Sequence, residues 1–331
     1  MGDDSLPSIP EGETFTCKRQ EYVVMEKLGE GGFGAVYKVK NTKTDEICAM
    51  KCEGALEEPK VLKAEVIVLR ELHKSGAKHV CALIGKGKHP PFNYVLMTLL
   101  GKSLSDLRKQ RRHGRFQLIT GLRVAHQTLQ AIRDLHKIGY IHRDLKPGNF
   151  AIGRPEEGKQ RTIFMLDFGM CRRYRNENGD LRYPRAAAAF RGTVRYAALT
   201  SHRCREQSRR DDLESWVYMN IEMATGHLPW GSMKQKHEVA LCKEAARTQS
   251  GLRSMLTEGA PEEYGTILLY LDQLQFWDAP DYDYMMRLLD RLFAEKFKCS
   301  MEDAMDDKSK PMDWEISSAQ AEGSRGSGKK K

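Results

Sequence analysis

His142-Arg143-Asp144-Leu145-Lys146-Pro147-Gly148-Asn149 is the stretch on which the reading of this chain turns. Asp144 can accept or orient the proton of an attacking hydroxyl, Lys146 can steady a phosphate in transfer, and Asn149 can hold a metal. A second carboxylate follows in Asp167-Phe168-Gly169, directly after the apolar run Ile163-Phe164-Met165-Leu166. That run reads as a strand, so Asp167 falls at a strand end, suited to a cation that bridges phosphates. The two motifs, with those that precede them, do not occur in this order and spacing by chance.

Upstream, Gly29-Glu30-Gly31-Gly32-Phe33-Gly34-Ala35-Val36 gives G-x-G-x-x-G-x-V between two strand-like runs, YVVMEKL and AVYKV. A dinucleotide fingerprint would open a helix, whereas these glycines lead into a second strand; a turn over a nucleotide fits better. Without a Cβ, glycine lets backbone N–H groups come close to phosphate. On these residues alone an ordinary Gly-rich hairpin stays open. Lys51 closes Cys48-Ala49-Met50-Lys51, an otherwise apolar strand. An unpaired buried cation is costly, and Glu65 is the candidate partner. It lies on the inward face of a helix marked by Leu62, Val66, Leu69 and Leu72, with Pro59 near its first turn. The alternative is that either side chain reaches out to solvent.

With these residues in place the chain resembles the eukaryotic protein kinase family over roughly residues 20–297. The Lys two places after Asp144 is the Ser/Thr-type arrangement. The resemblance implies an α+β fold of two lobes, a small β-rich lobe with one main helix and a larger, mostly helical one, with ATP in the cleft and Mg²⁺ on its phosphates. Catalytic roles fall on Asp144, Lys146 and Asn149, and the metal on Asn149 and Asp167. Leu28, Gly29, Gly31, Gly34, Val36, Ala49, Lys51, Glu65, Met97, Thr98 and Leu100 match positions that hold ATP. Among them Met97 resembles the gatekeeper, and Thr98 and Leu100 would present hinge backbone groups to adenine.

One departure narrows the resemblance. Most such kinases carry Ala-Pro-Glu some thirty residues after the metal-binding Asp; here the matching segment is Arg191-Gly192-Thr193-Val194-Arg195-Tyr196-Ala197-Ala198-Leu199-Thr200. With Glu206-Gln207-Ser208-Arg209-Arg210-Asp211-Asp212-Leu213-Glu214-Ser215 and Leu228-Pro229-Trp230, it resembles the casein kinase 1 group. Phe190 with Arg191–Tyr196, Phe92-Asn93-Tyr94-Val95 and Asp313-Trp314-Glu315 are similar to the tau–tubulin kinase branch. Enzymes of the group favour sites near acidic or phosphorylated residues, which calls for cations along the substrate groove. Arg195 matches such a position, Lys236 aligns with another, and Arg191 lies close by. A further basic position of the group falls on Ala186–Ala189, where the side chains are gone.

The 331 residues are 40% apolar and 30% charged, with net charge +9, and no apolar run approaches the roughly 18 residues that span a bilayer. Residues 1–15 read as a disordered tail, 16–98 as the β-rich lobe, 99–101 as a hinge and 102–297 as the helical lobe. A C-terminal extension, 298–315, and a basic tail, 316–331, follow. Within the helical lobe Leu118 to Leu135 mark an amphipathic helix, residues 212–224 a helix apolar almost all round and so buried at the centre of the lobe, and 282–294 another amphipathic helix. Neither a signal peptide nor myristoylation is expected, since position 6 is Leu6. Eight cysteines without a C-x-x-C pair read as free thiols of a reducing compartment, the cytoplasm with the nucleus as a second location. The expected partners are proteins bearing Ser or Thr, cytoskeletal ones among them, with no membrane and no nucleic acid, the chain acting as a monomer. A rival reading, a binding scaffold of the same fold, would be favoured by loss of Lys51, Asp144, Asn149 or Asp167, and all four are present. Nucleic-acid binding lacks the aromatics of a stacking platform.

Overall fold

The computed structural model describes residues 8–31, 34–55 and 61–316. In chain order the elements begin with β1 (Thr14–Cys17), β2 (Gln20–Gly31), β3 (Gly34–Asn41), β4 (Ile47–Gly54), α1 (Val61–Lys74), β5 (Leu83–His89) and β6 (Phe92–Thr98). Then come α2 (Leu104–Lys109), α3 (Leu118–Lys137), β7 (Tyr140–Ile141), β8 (Phe150–Ile152), β9 (Ile163–Met165) and β10 (Arg172–Arg173). The rest is helical: α4 (Leu199–His202), α5 (Arg209–Thr225), α6 (Lys236–Ala245), α7 (Gln249–Met255), α8 (Glu262–Gln273), α9 (Tyr282–Phe297) and α10 (Met301–Asp306). A β-rich N-terminal lobe followed by a helical C-terminal one is the two-lobed kinase fold. By compactness the chain divides into two units, Met1–Gly101 with Ala131–Arg143 and Ala151–Tyr183, and Lys102–Gln130 with Asp144–Phe150 and Pro184–Lys331.

In the first unit six strands pair antiparallel in the order β1-β2-β3-β4-β6-β5. Side chains alternate across a strand, so the central strands serve two cores. Cys48, Met50, Tyr94 and Leu96 join Tyr22, Val24, Tyr37 and Val39 on one face. Ala49, Val95 and Met97 meet Leu62 and Val66 of α1 on the other. The start of α1 is capped by a neighbouring strand: Glu53, buried on β4, accepts from the Leu62 N–H at 2.8 Å. Pro59, read as the first turn of this helix, lies outside the described residues.

The reading of residues 1–15 as a disordered tail needs correction from residue 8 onward. Ile9 and Phe15 are 5% exposed and belong to the sheet core, and the Gly12 N–H bonds Val24 O at 2.8 Å. Phe15 stacks on Tyr22 at 5.6 Å and meets Tyr94 edge-on at 5.0 Å. The composition of the segment is polar, but an extra strand adds to a sheet edge by backbone bonds, and two apolar anchors suffice to seat it. Residues 1–7, and the basic tail from 317, lie outside the described residues.

The second unit is organised on α5, buried along nearly its whole length. The burial expected for 212–224 is observed, but it is not an apolar burial: Asp211, Asp212, Glu214, Asn220 and Glu222 are enclosed with the apolar residues. Such groups persist inside only where they find hydrogen-bond partners. Ser208 and Asp211 cap the start of α5 reciprocally. Gly226 ends it at φ 91°, and a Cβ there would stand 2.2 Å from His113 O. Trp216 donates its indole N–H to Thr128 on α3 at 2.9 Å.

The C-terminal extension is built into this unit. Asp313 accepts from the Gln117 N–H at 2.8 Å and from the Thr120 hydroxyl at 2.7 Å, so it caps α3 from the far end of the chain. Arg111 donates to Asp313 O at 2.8 Å, and Trp314 lies edge-on to Phe116 at 5.7 Å. Among the described residues no helix is long and apolar enough to cross a membrane.

Candidate active site

On β4 the alternation that buries Met50 on one face turns Lys51 to the other, where it stands opposite Val36 of β3 and Val95 of β6. Its Nζ lies 2.7 Å from Glu65 Oε2 and 3.0 Å from Asp167 Oδ1. Burial alone would lower the lysine pKa, but the charges of Glu65 and then Asp167 outweigh it and raise the value. Glu65, 3% exposed, thus meets the cation that its place on an apolar helix face calls for. Asp167 follows β9 in the left-handed region, at φ 61°. His142 bonds Leu166 O at 3.1 Å, and Arg143 donates to Met170 O at 2.7 Å, which ties both sides of this turn to the catalytic motif.

Beside this ion triad Val36, Ala49, Met97 and Leu100 pack in one cluster with Leu62, Val66, Cys81, Leu83 and Leu166. Thr98 donates its N–H to Ala82 O at 3.0 Å. Leu28, on β2, is 46% exposed. The glycine stretch leads from β2 into β3, with Gly31 paired to Gly34, which excludes the strand-to-helix geometry of a dinucleotide site. A Cβ on Gly29 or Gly31 would find open space, whereas one on Gly34 would strike Cys52 O at 1.8 Å. Gly34 is therefore held by packing and φ, and Gly29 and Gly31 leave their backbone approachable.

In the second unit Asp144 is 7% exposed and fully engaged. Lys146 Nζ donates to its Oδ2 at 2.7 Å, the Thr193 hydroxyl donates to Oδ1 at 2.7 Å, and Asn149 Nδ2 donates to its backbone carbonyl at 2.9 Å. Lys146 also reaches Thr193 Oγ1 at 3.2 Å. Because the Asn149 nitrogen is turned to Asp144, its side-chain oxygen is the atom left to offer a cation. Thr193 entered the sequence reading only as part of a resemblance; a lone Thr carries no pattern that would have marked it.

The three cations read as an anion site all lie in this unit, in unlike settings. Arg195 donates to Glu222 Oε1 at 2.8 Å and to Gly231 O at 2.6 Å, and its side chain is 40% exposed. Lys236, exposed at the start of α6, lies 4.4 Å over the Phe190 ring. Arg191 is exposed.

A cation paired to a helix glutamate behind a glycine turn, with an Asp–Lys–Asn–Thr cluster further on, is the equipment of phosphoryl transfer to a hydroxyl. The chain belongs to the protein kinase family, whose domain description, Protein kinase domain, matches residues 22–279. It is 36% identical over 299 residues to the serine/threonine-protein kinase spe-6 of Caenorhabditis elegans, covering 89% of this chain and 76% of that one. It is 35% identical over 295 residues to a probable serine/threonine-protein kinase of Dictyostelium discoideum, covering 89% of this chain and 56% of the other. Casein kinase I homolog 3 of Schizosaccharomyces pombe is 34% identical over 277 residues, 82% of this chain and 62% of its own length. The chain therefore spans between just over half and about three quarters of these relatives. It is a Ser/Thr protein kinase of the casein kinase 1 type, and such a domain uses ATP.

Proposed function

We propose that this kinase works with Mg²⁺-ATP and prefers acidic or already phosphorylated stretches of protein substrates, cytoskeletal proteins among them. The observation that carries the catalytic part is the held carboxylate of Asp144. Thr193 fixes one of its oxygens and Lys146 the other, so the side chain meets an acceptor hydroxyl in one orientation. Asp144 takes or directs the hydroxyl proton, and Lys146 supports the charge that develops on the transferred group. Lys51 holds the α- and β-phosphates, and Glu65 keeps its ammonium in place. Val36, Ala49, Met97 and Leu100 supply the apolar surface for adenine, with Leu28 above.

No group of three or more His, Cys, Asp or Glu able to hold a metal occurs among the described residues. Mg²⁺ suits that supply, since it is commonly held by one or two protein oxygens together with phosphates. Asp167, in the first unit, and Asn149, in the second, are the residues that by the family resemblance would each offer it an oxygen, and when bound it would neutralise phosphate charge.

The substrate preference rests on Arg191, Arg195 and Lys236. Glu222 already shares the charge of Arg195, and residues 186–189 are alanines, so the preference is modest. We place the kinase in the cytoplasm and the nucleus as a monomer; its eight free thiols fit a reducing compartment. The similarity to the tau–tubulin branch favours cytoskeletal substrates. Peptide sets with neutral, acidic and phosphoserine-bearing flanks test the reading at two salt concentrations. The expected ranking is phosphorylated over acidic over neutral, flattening as salt screens the groove. Equal use of neutral and phosphorylated peptides would sink the preference and leave the kinase standing.

A further inference from the structure

Lys243, on α6, has no exposed surface at all, yet among the described residues no carboxylate lies at hydrogen-bond distance from its ammonium. Its Nζ donates to Ala197 O at 2.6 Å and to Val194 O at 2.9 Å, and faces His202 Nε2 at 3.2 Å. The rings of Tyr218 and Trp230 lie 5.0 and 5.5 Å from it. A methionine would fill the same space without the desolvation cost, so the amine is kept for what it bonds.

What it bonds is the segment in which this chain departs from most kinases. Tyr196-Ala197-Ala198-Leu199 carries no carboxylate of its own. Support comes from the helices instead. Glu214 of α5 accepts from the Leu199 N–H at 3.0 Å, and it is held by the Tyr218 hydroxyl at 2.7 Å and by Arg247 at 2.8 Å. Side chains of α5 and α6 thus grip three main-chain groups, at 194, 197 and 199. The residue before Val194 is Thr193, whose hydroxyl fixes Asp144.

We propose that Lys243 is a positioning residue for phosphotransfer: by holding the carbonyls of Val194 and Ala197 it sets Thr193 against Asp144 and fixes the segment 191–198 that meets the acceptor peptide. The proposal rests on the reading of that segment as substrate-facing. Burial, opposed by Glu214 and aided by Arg247, lowers the Lys243 pKa to about 7. A neutral amine still carries two N–H bonds, one for each carbonyl, so the grip holds in either protonation state.

The full chain with Lys243→Met, assayed below its melting temperature, tests this. Peptide kcat/KM should fall by about 10²-fold, the scale of a small misplacement of a reacting group, while KM for ATP stays within about twofold. Amides 193–199 should exchange with solvent faster, those of α5 unchanged. Lys243→Gln keeps an N–H donor, one bond shorter in reach, and should recover part of the loss. A folded Met variant with wild-type peptide turnover overturns the proposal, as does a Gln variant equally stable but no better than Met. If Lys243→Met does not fold, Lys243→Gln decides: faster exchange of amides 193–199 together with a loss in peptide kcat/KM at unchanged KM for ATP supports the grip, and a folded Gln variant with wild-type exchange in this segment but the full loss of about 10²-fold overturns it. A wild type that transfers no phosphate would refute the catalytic reading instead.

Discussion

Replacing Lys51 by methionine takes a cation from between two carboxylates of unequal exposure. Its ammonium lies 2.7 Å from Glu65, which is 3% exposed, and 3.0 Å from Asp167, which is 36% exposed. Asp167 can turn to water; Glu65 cannot. Removing one partner of a buried ion pair costs about 3–5 kcal/mol, because the other charge is left in a poorly polar site. Glu65→Gln is milder. Lys51 keeps Asp167, and the amide oxygen can still accept a hydrogen bond, so a loss of about 1–2 kcal/mol is expected. In the double variant no charge is orphaned at position 65, and its loss should fall short of the sum by about 2 kcal/mol. Urea unfolding of the four proteins without nucleotide measures the cycle. Phosphotransfer in the same four proteins separates structure from chemistry: the double variant should regain stability but not activity, since Lys51 is the proposed phosphate ligand. Additivity within about 0.5 kcal/mol would refute the argument that Glu65 is held by Lys51.

Asp144→Asn should bind ATP nearly as the wild type does and lose about 10²–10⁴-fold in turnover, read by nucleotide titration beside a peptide assay. Between Asp167 and Arg191 the only phosphorylatable hydroxyls are Tyr174 and Tyr183, and that of Tyr174 already donates to His136 O at 2.6 Å. Phosphatase-treated protein from a bacterial host should therefore be active as made; protein inert until a second kinase modifies this segment contradicts that. Burial, the largest cause, pushes the carboxyl of Asp211 up to about 6. With the folded value above the unfolded one, the stability it contributes is present below pH 4 and is lost as pH rises toward 6. Asp211→Asn should remove up to about 3 kcal/mol of that fall, seen as urea midpoints at pH 4 and pH 7 that lie closer together than in the wild type.

The sequence by itself was enough for the lobes, the two carboxylate motifs and the meeting of Lys51 with Glu65. Each rests on short-range evidence: alternation along β4, helical spacing along α1, and a charge set on an apolar face that must be answered by its opposite. Residues 8–15 misled because composition hides an edge strand whose bonds are made by backbone and whose anchors are only Ile9 and Phe15. Other features came only with the tertiary structure. Thr193 reaches Asp144 across 49 residues, and Asp313 caps α3 across 193 from Thr120. Glu214, on the helix expected to be buried, and Lys243, on one that the sequence did not mark, give no sign of their partners until α5 and α6 are packed, when both lie buried against the main chain of 194–199. A polar side chain announces nothing by its neighbours in sequence; its partner is whichever distant group the fold leaves in need of a bond, and that is decided when water is excluded from around both.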